Sequence, residues 1–207
     1  MNKPLFSLLI ALSVASGADA RLTAVDAFCM APPEVMPMIS PVRRAEMVKL
    51  FEAGVAGQAS PNVFGGKVEV LDVSQDAVTL SHATDATLTV ALLPAAGRDT
   101  LLMTVETLPT PAPDSNVRIY TRDWKPLQGL YEEPAVRDWA LKGRQAEAAE
   151  VLPFMLAEGR WDSASRELIL TPTIERWIDE ETRPRVASMI RRSLVLVWNG
   201  RKFVVRK

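Results

Sequence analysis

Residues 67–108, KVEVLDVSQDAVTLSHATDATLTVALLPAAGRDTLLMTVETL, decide the fold. Val68 and Val70 open a series of alternating runs; Val78, Leu80 and His82 share one face of the next, Leu88, Val90 and Leu92 one face of the third, and Leu101, Met103 and Val105 one face of the fourth. A two-residue period is that of a strand, whose successive side chains point to opposite faces. The spacers Ser74-Gln75-Asp76, Ala83 to Ala86 and Ala95 to Asp99 are too short for a crossover helix, so consecutive strands are antiparallel neighbours. The expectation is a meander with one face on a core and one in water. The Pro-rich stretch Leu108 to Asp114 interrupts it, because proline cannot donate to a ladder, and Val117 to Tyr120 resumes it.

Upstream, residues 21–33 carry no clear period and read as an extended lead-in to Pro32-Pro33. Glu34 to Ile39 makes a short turn. Ser40-Pro41 then sets an N-cap residue before proline at the first helical position, where the missing N–H costs nothing. Met47, Leu50 and Phe51 form the apolar stripe of that helix, with Arg43, Arg44, Glu46, Lys49 and Glu52 mostly elsewhere, and Gly54 and Gly57 mark its end. Downstream, Ala135 to Ala149 reads as helical, and Val151 to Leu156 pairs with Glu167 to Thr171 through Trp161-Asp162-Ser163. A helix from Asp179 or Thr182 to about Arg192 turns Val186, Met189 and Ile190 inward. The C-terminus reads as a hairpin, Leu194 to Trp198 and Arg201 to Val205, around a two-residue Asn199-Gly200 turn. In that register Leu196 faces Phe203 and Trp198 faces Arg201, a cation placed to sit over the indole.

The fold class expected is therefore α+β: mainly antiparallel sheet, a meander plus a C-terminal hairpin, packed on a few helices. Residues 33–125 and 130–207 share a loose plan of helix then strands, as two related halves would.

The first twenty residues have the three parts of an export signal: Asn2 and Lys3 at the start, a mostly apolar run from Leu5 to Val14, and Ala18-Asp19-Ala20 before the cleavage point. The expected mature protein starts at Arg21, forms a single domain over 21–207, and works in the periplasm or outside the cell. No later segment is long and apolar enough to span a bilayer. The one cysteine, Cys29, has no internal partner and reads as a buried small side chain or a site of pairing between chains. A formal net charge of −1 offers no global field for nucleic acid. From Arg183 to Lys207, however, eight Lys or Arg stand with no acid. That run is read as helix-end and strand-face cations, with an anionic surface as the rarer partner.

Reaction chemistry is hard to find. The single histidine, His82, sits on a strand face with Val78 and Leu80, which suits a packing role better than a base. No Cys or His set has metal-ligand spacing, no glycine pattern cradles a phosphate, and no cofactor motif is present. Among the acids, Glu132, Glu133, Asp179, Glu180 and Glu181, no spacing singles out a catalytic pair, and Asp179 to Glu181 suit a helix's first turn.

Four segments occur in an order and spacing that resemble a known family: Met36-Pro37-Met38-Ile39, Met47 to Gly54, Asn62-Val63-Phe64-Gly65-Gly66-Lys67, and Asp114 to Leu127, with Val195 to Phe203 fitting its C-terminal end. The chain resembles a domain-of-unknown-function family of small exported proteins from Gram-negative gut and oral anaerobes. The Tyr120 and Asp123-Trp124-Lys125 stretch is its most specific part. The resemblance implies no activity and no catalytic residues, and cysteines that members carry near Thr110 to Asp114 are absent here.

The function expected is that of a non-enzymatic binding or interaction protein, with a partner protein, peptide or envelope component held on a sheet face or edge. Trp124, Trp161, Trp177 and Trp198, with Arg201, are its candidate surface residues. The rival is a carboxylate-based hydrolase acting on an envelope or extracellular polymer, which needs a cleft holding two acids.

Overall fold

A computed structural model describes residues 21–55, 59–97, 100–109 and 111–206; the expected leader lies outside them. In chain order the elements are α1 (Ala24–Met30), α2 (Pro41–Glu52), β1 (Ser60–Pro61), β2 (Lys67–Val73), β3 (Ala77–Ala83), β4 (Ala86–Pro94), β5 (Thr100–Leu108), β6 (Asp114–Tyr120), β7 (Pro126–Leu127), α3 (Val136–Trp139), α4 (Gln145–Val151), β8 (Ala157–Asp162), β9 (Glu167–Pro172), α5 (Arg183–Ala187), β10 (Leu194–Trp198) and β11 (Phe203–Val205). Strands β1 to β7 form one antiparallel sheet in sequence order, and β11-β10-β9-β8 form a second. The molecule is α+β, as the alternating runs predict.

The meander departs from expectation in one respect: both of its faces are covered where its strands are longest. Val68, Val78, Leu80, Leu88, Val90, Leu92 and Leu102 face α1 and α2. The opposite face carries Ala91, Leu93, Met103, Val105, Val117 and Ile119, which pack on Leu168, Leu170, Leu194, Leu196 and Trp198 of the second sheet and on α3 to α5. The runs Leu92-Leu93 and Leu101-Leu102-Met103 break strict alternation because both faces there are dry. Each fully buried side chain of this kind contributes about 1.5–3 kcal/mol.

The lead-in is not extended. It is helix α1, capped by Thr23, whose Oγ1 accepts the Asp26 N–H at 3.1 Å while Asp26 Oδ2 accepts the Thr23 N–H at 3.0 Å. Its seven residues are too few to display a period. Helix α2 starts at Pro41 as expected, but its buried residues are Arg44, Met47 and Val48, while Leu50 is 36% exposed. Arg44 turns inward, where its guanidinium reaches the C-terminal carbonyls of α1 and of the turn after it. Its Nε donates to Ile39 O at 3.1 Å, Nη2 to Met36 O at 3.0 Å, and Nη1 to Phe28 O at 3.2 Å, Cys29 O at 3.4 Å and Ala31 O. Burial opposes the guanidinium's charge, and burial also raises the pKa of the neighbouring half-buried Cys29 thiol.

Four further elements differ from the reading of the sequence. The helix expected over 135–149 is two short helices broken at Gly143, which has φ +83°. Val151 to Leu156 is not a strand; β8 begins at Ala157, so Trp161 and Asp162 are strand residues and Ser163 to Arg166 make the turn. The last helix ends at Ala187, because Ile190 leaves it to form a bridge with Ala140, although Val186, Met189 and Ile190 are all buried. In the final hairpin Leu196 faces Val205 and Trp198 faces Phe203. The turn takes four residues, since Asn199 Oδ1 accepts the N–H groups of Arg201 at 2.9 Å and Lys202 at 3.0 Å, and only Gly200 adopts positive φ. The predicted contact between Trp198 and Arg201 is therefore not made.

Candidate functional site

The second sheet covers only part of the first. Alternation that turns Val78, Leu80, Leu88 and Val90 toward the helices turns Thr79, Ser81, Thr87 and Thr89 to the other side, and these four are half-buried. Register then lines up hydroxyls across four strands. Ser81 lies opposite Thr87, Thr87 opposite Thr107, and Thr107 opposite Ser115, at an inter-strand spacing of about 4.8 Å. Thr107 and Ser115 share a hydrogen bond at 2.7 Å, and in the adjacent row Thr79 and Thr89 share one at 3.0 Å. A flat hydroxyl-bearing floor results.

The wall beside it is β8, an edge strand. Its outward N–H groups at Ala157 and Gly159 are taken by Asp114 Oδ1 at 3.1 Å and Ser115 Oγ at 2.7 Å. Gly159 is needed for this approach: a Cβ there would stand 3.2 Å from both the Ser115 Cβ and Leu170 Cδ2. The same periodicity directs the N–H and C=O of Trp161 outward. Glu158, Arg160 and Asp162 complete the wall, and the groove between wall and floor encloses about 720 Å³, with Asp72 and Ser74 also lining it. The Asp162 carboxyl is held below its ordinary range, chiefly by the backbone N–H of Ser165, with lesser help from Ala164 N–H and Arg160. Trp161 also lines an adjoining cavity of about 300 Å³ with Arg21, Asp76 and Arg166, and its Nε1 is buried without a hydrogen-bond partner among the described residues.

The other sequence candidates lie apart from this groove. Trp124 is 7% exposed, at φ +61°, its ring 5.2 Å from Tyr120 in the helix-side core. Trp198 is buried, donates from Nε1 to Pro94 O at 2.8 Å and packs on Phe203. Arg201 is exposed in the hairpin turn. Trp177 is 47% exposed and stacks on Phe154 with ring centroids 4.8 Å apart. Of the predicted set, only Trp161 stands in the groove. His82 places Nε2 3.5 Å from Glu106 Oε1 on the helix side of the sheet.

The acids named from sequence scatter, with one exception. Glu133 shares a pocket with Asp114 and Tyr131 beneath the second sheet. Burial, and then the charge of Asp114, raise the Glu133 carboxyl above its ordinary range; burial, then Glu133 and Asp114, push the Tyr131 phenol up. A groove of about 520 Å³, walled by Val136, Leu152 and Phe154, shares Glu133, Pro134 and Met155 with this pocket. Sequence spacing missed both the Glu133 and Asp114 pair and the hydroxyl floor. The floor's signal was the threonines alternating with the apolar residues of β3 and β4, readable only once register was known.

A family model covers residues 18–203. The chain belongs to DUF3256, a family of proteins of unknown function. Its fold is similar to the solved structure of a domain of an uncharacterized protein from Porphyromonas gingivalis W83, with a TM-score of 0.74 and 21% sequence identity over 88% of this chain and 96% of that one. No curated protein matches. Membership of DUF3256 agrees with the expectation of a domain-of-unknown-function family, and the likeness to the Porphyromonas domain is one of fold. No helix among the described residues of this DUF3256 chain is long and apolar enough to cross a membrane.

Proposed function

We propose that this DUF3256 chain is an exported, non-enzymatic binding protein whose ligand site is the groove between the seven-stranded sheet and β8. The carrying observation is the floor of Thr79, Thr87, Thr89 and Thr107, hydroxyls that line the groove on the same sheet face that packs Ala91, Met103 and Ile119 into the core. A groove of this size, walled by charged side chains and an indole, suits ligand capture. The leader pattern of residues 1–20 supports export, with Arg21 as the mature N-terminus.

Hydroxyl-radical footprinting tests the site. Mixed with an extract of its own cell envelope, the protein should show protection confined to 79–89 and 157–163; protection elsewhere, or none, sinks the reading. N-terminal sequencing of the protein from fractionated cells tests export and should begin at Arg21.

The hydrolase reading keeps one observation in its favour, the raised Glu133 carboxyl beside Asp114, since a general acid and an ionised partner are what glycoside cleavage uses. Against it, Asp114 already spends an oxygen on the Ala157 N–H. Release of new reducing ends from envelope polymer, lost in Glu133→Gln, would establish it over the binding reading.

A further inference from the structure

We infer that the groove takes a neutral, polyhydroxylated chain: an oligosaccharide. This rests on the reading of the groove as a binding site and names its ligand class. Three features of the same surface carry it.

The floor offers hydroxyls, which both donate and accept, so they match a ligand whose groups do the same. Thr79, Thr87 and Thr89 present them from the neighbouring strands β3 and β4, each half-buried and lining the groove. A lipid would need apolar walls in their place, as in the opposite core. The wall adds fixed acceptors and one planar donor: Asp72, Glu158 and Asp162 against Arg160. This excess of carboxylates disfavours phosphate- or sulfate-bearing polymers, and Asp162 is kept ionised by its own turn. Trp161 supplies the remaining element, an indole partly exposed at the wall, whose ring can cover the apolar face of a sugar.

The competing occupant is an extended peptide adding a strand to β8. Strand addition draws its affinity from a run of main-chain hydrogen bonds. Here the edge N–H groups of Ala157 and Gly159 are already taken by Asp114 and Ser115, and among the described residues only Trp161 of β8 keeps both outward groups without a partner. One residue is too short a ladder to hold a strand.

The test is a 15N NMR titration of the protein, following the Trp161 indole and the amides of β3, β4 and β8, with cellohexaose, xylohexaose, mannohexaose and chitohexaose in turn. At least one hexasaccharide should give saturable shifts confined to these signals. Affinity should fall about tenfold in Thr87→Val/Thr89→Val, where two hydrogen-bonding groups are lost at constant shape. Arg160→Gln, exposed and outside both cores, should also weaken binding, so the outcome does not depend on the threonine variant folding. Shifts that are unchanged in both variants, or that none of the four sugars produces, overturn the oligosaccharide. A hexapeptide of alternating Thr and Val is the second arm: saturable shifts of the same signals by peptide alone overturn the sugar and leave the groove standing as a binding site. Loss of the groove reading itself is scored separately, by the envelope-extract footprint.

Discussion

Arg44 is the residue whose environment most exceeds what its neighbours in sequence announce. It is wholly buried, with no carboxylate partner among the described residues, and its guanidinium replaces water for carbonyls of five residues from Phe28 to Ile39. Arg44→Met should cost at least about 3 kcal/mol in urea unfolding, because charge-assisted bonds vanish and buried carbonyls are left unpaired. Arg44→Lys should recover little of it, since an ammonium cannot span the fork. Glu133 gives a signed pH prediction. Its folded pKa is raised above the ordinary 4.5, so the folded state holds this proton more tightly than the unfolded chain. Its contribution favours folding at low pH and declines as pH rises from about 4.5 through the folded value. Thermal melts from pH 4 to 8 should show Glu133→Gln gaining on wild type toward the upper end; equal curves would contradict the burial of this acid.

At the scale of elements, local signals succeeded where one residue type acts alone and failed where a side chain answers a distant group. Proline after Ser40 opened α2, and the short spacers made the meander. Helix α1 was legible in principle, since Thr23 and Asp26 stand at capping-box spacing. Thr23→Ala should cost about 1 kcal/mol, read from the urea midpoint. Alternation could not say that Leu50 faces water or that Arg44 faces the core, because a charged residue is read as outward until its partners are known. The C-terminal hairpin failed for a similar reason: Asn199 spends its side chain on the N–H groups of Arg201 and Lys202, and the Phe203 N–H goes to Leu130 O instead of closing a tight turn.

Across the whole molecule, two cores share one sheet. Val90 packs toward the helices and Ala91 toward the second sheet, so neither core can be lost without exposing a face of the same strands. Unfolding should be a single transition, with far-UV circular dichroism and tryptophan fluorescence coinciding; separated midpoints would mean that the halves fold independently. The sheets approach each other closely at Gly159. Gly159→Ala should cost about 1–3 kcal/mol, because Ser115 and Leu170 must both give way. It should also loosen the groove wall, seen as faster amide exchange at Gly159 and Trp161.

By itself the sequence determined the antiparallel order of the strands, since short polar spacers permit no other connection, and the start of α2, since proline tolerates only one helical position there. Only the tertiary structure decided which sheet face stays wet, where Arg44 points, and that Ser81, Thr87, Thr107 and Ser115 form one row. Those depend on register and on contacts between residues up to about a hundred positions apart, such as Trp198 with Pro94, and a local period carries no information about partners at that distance.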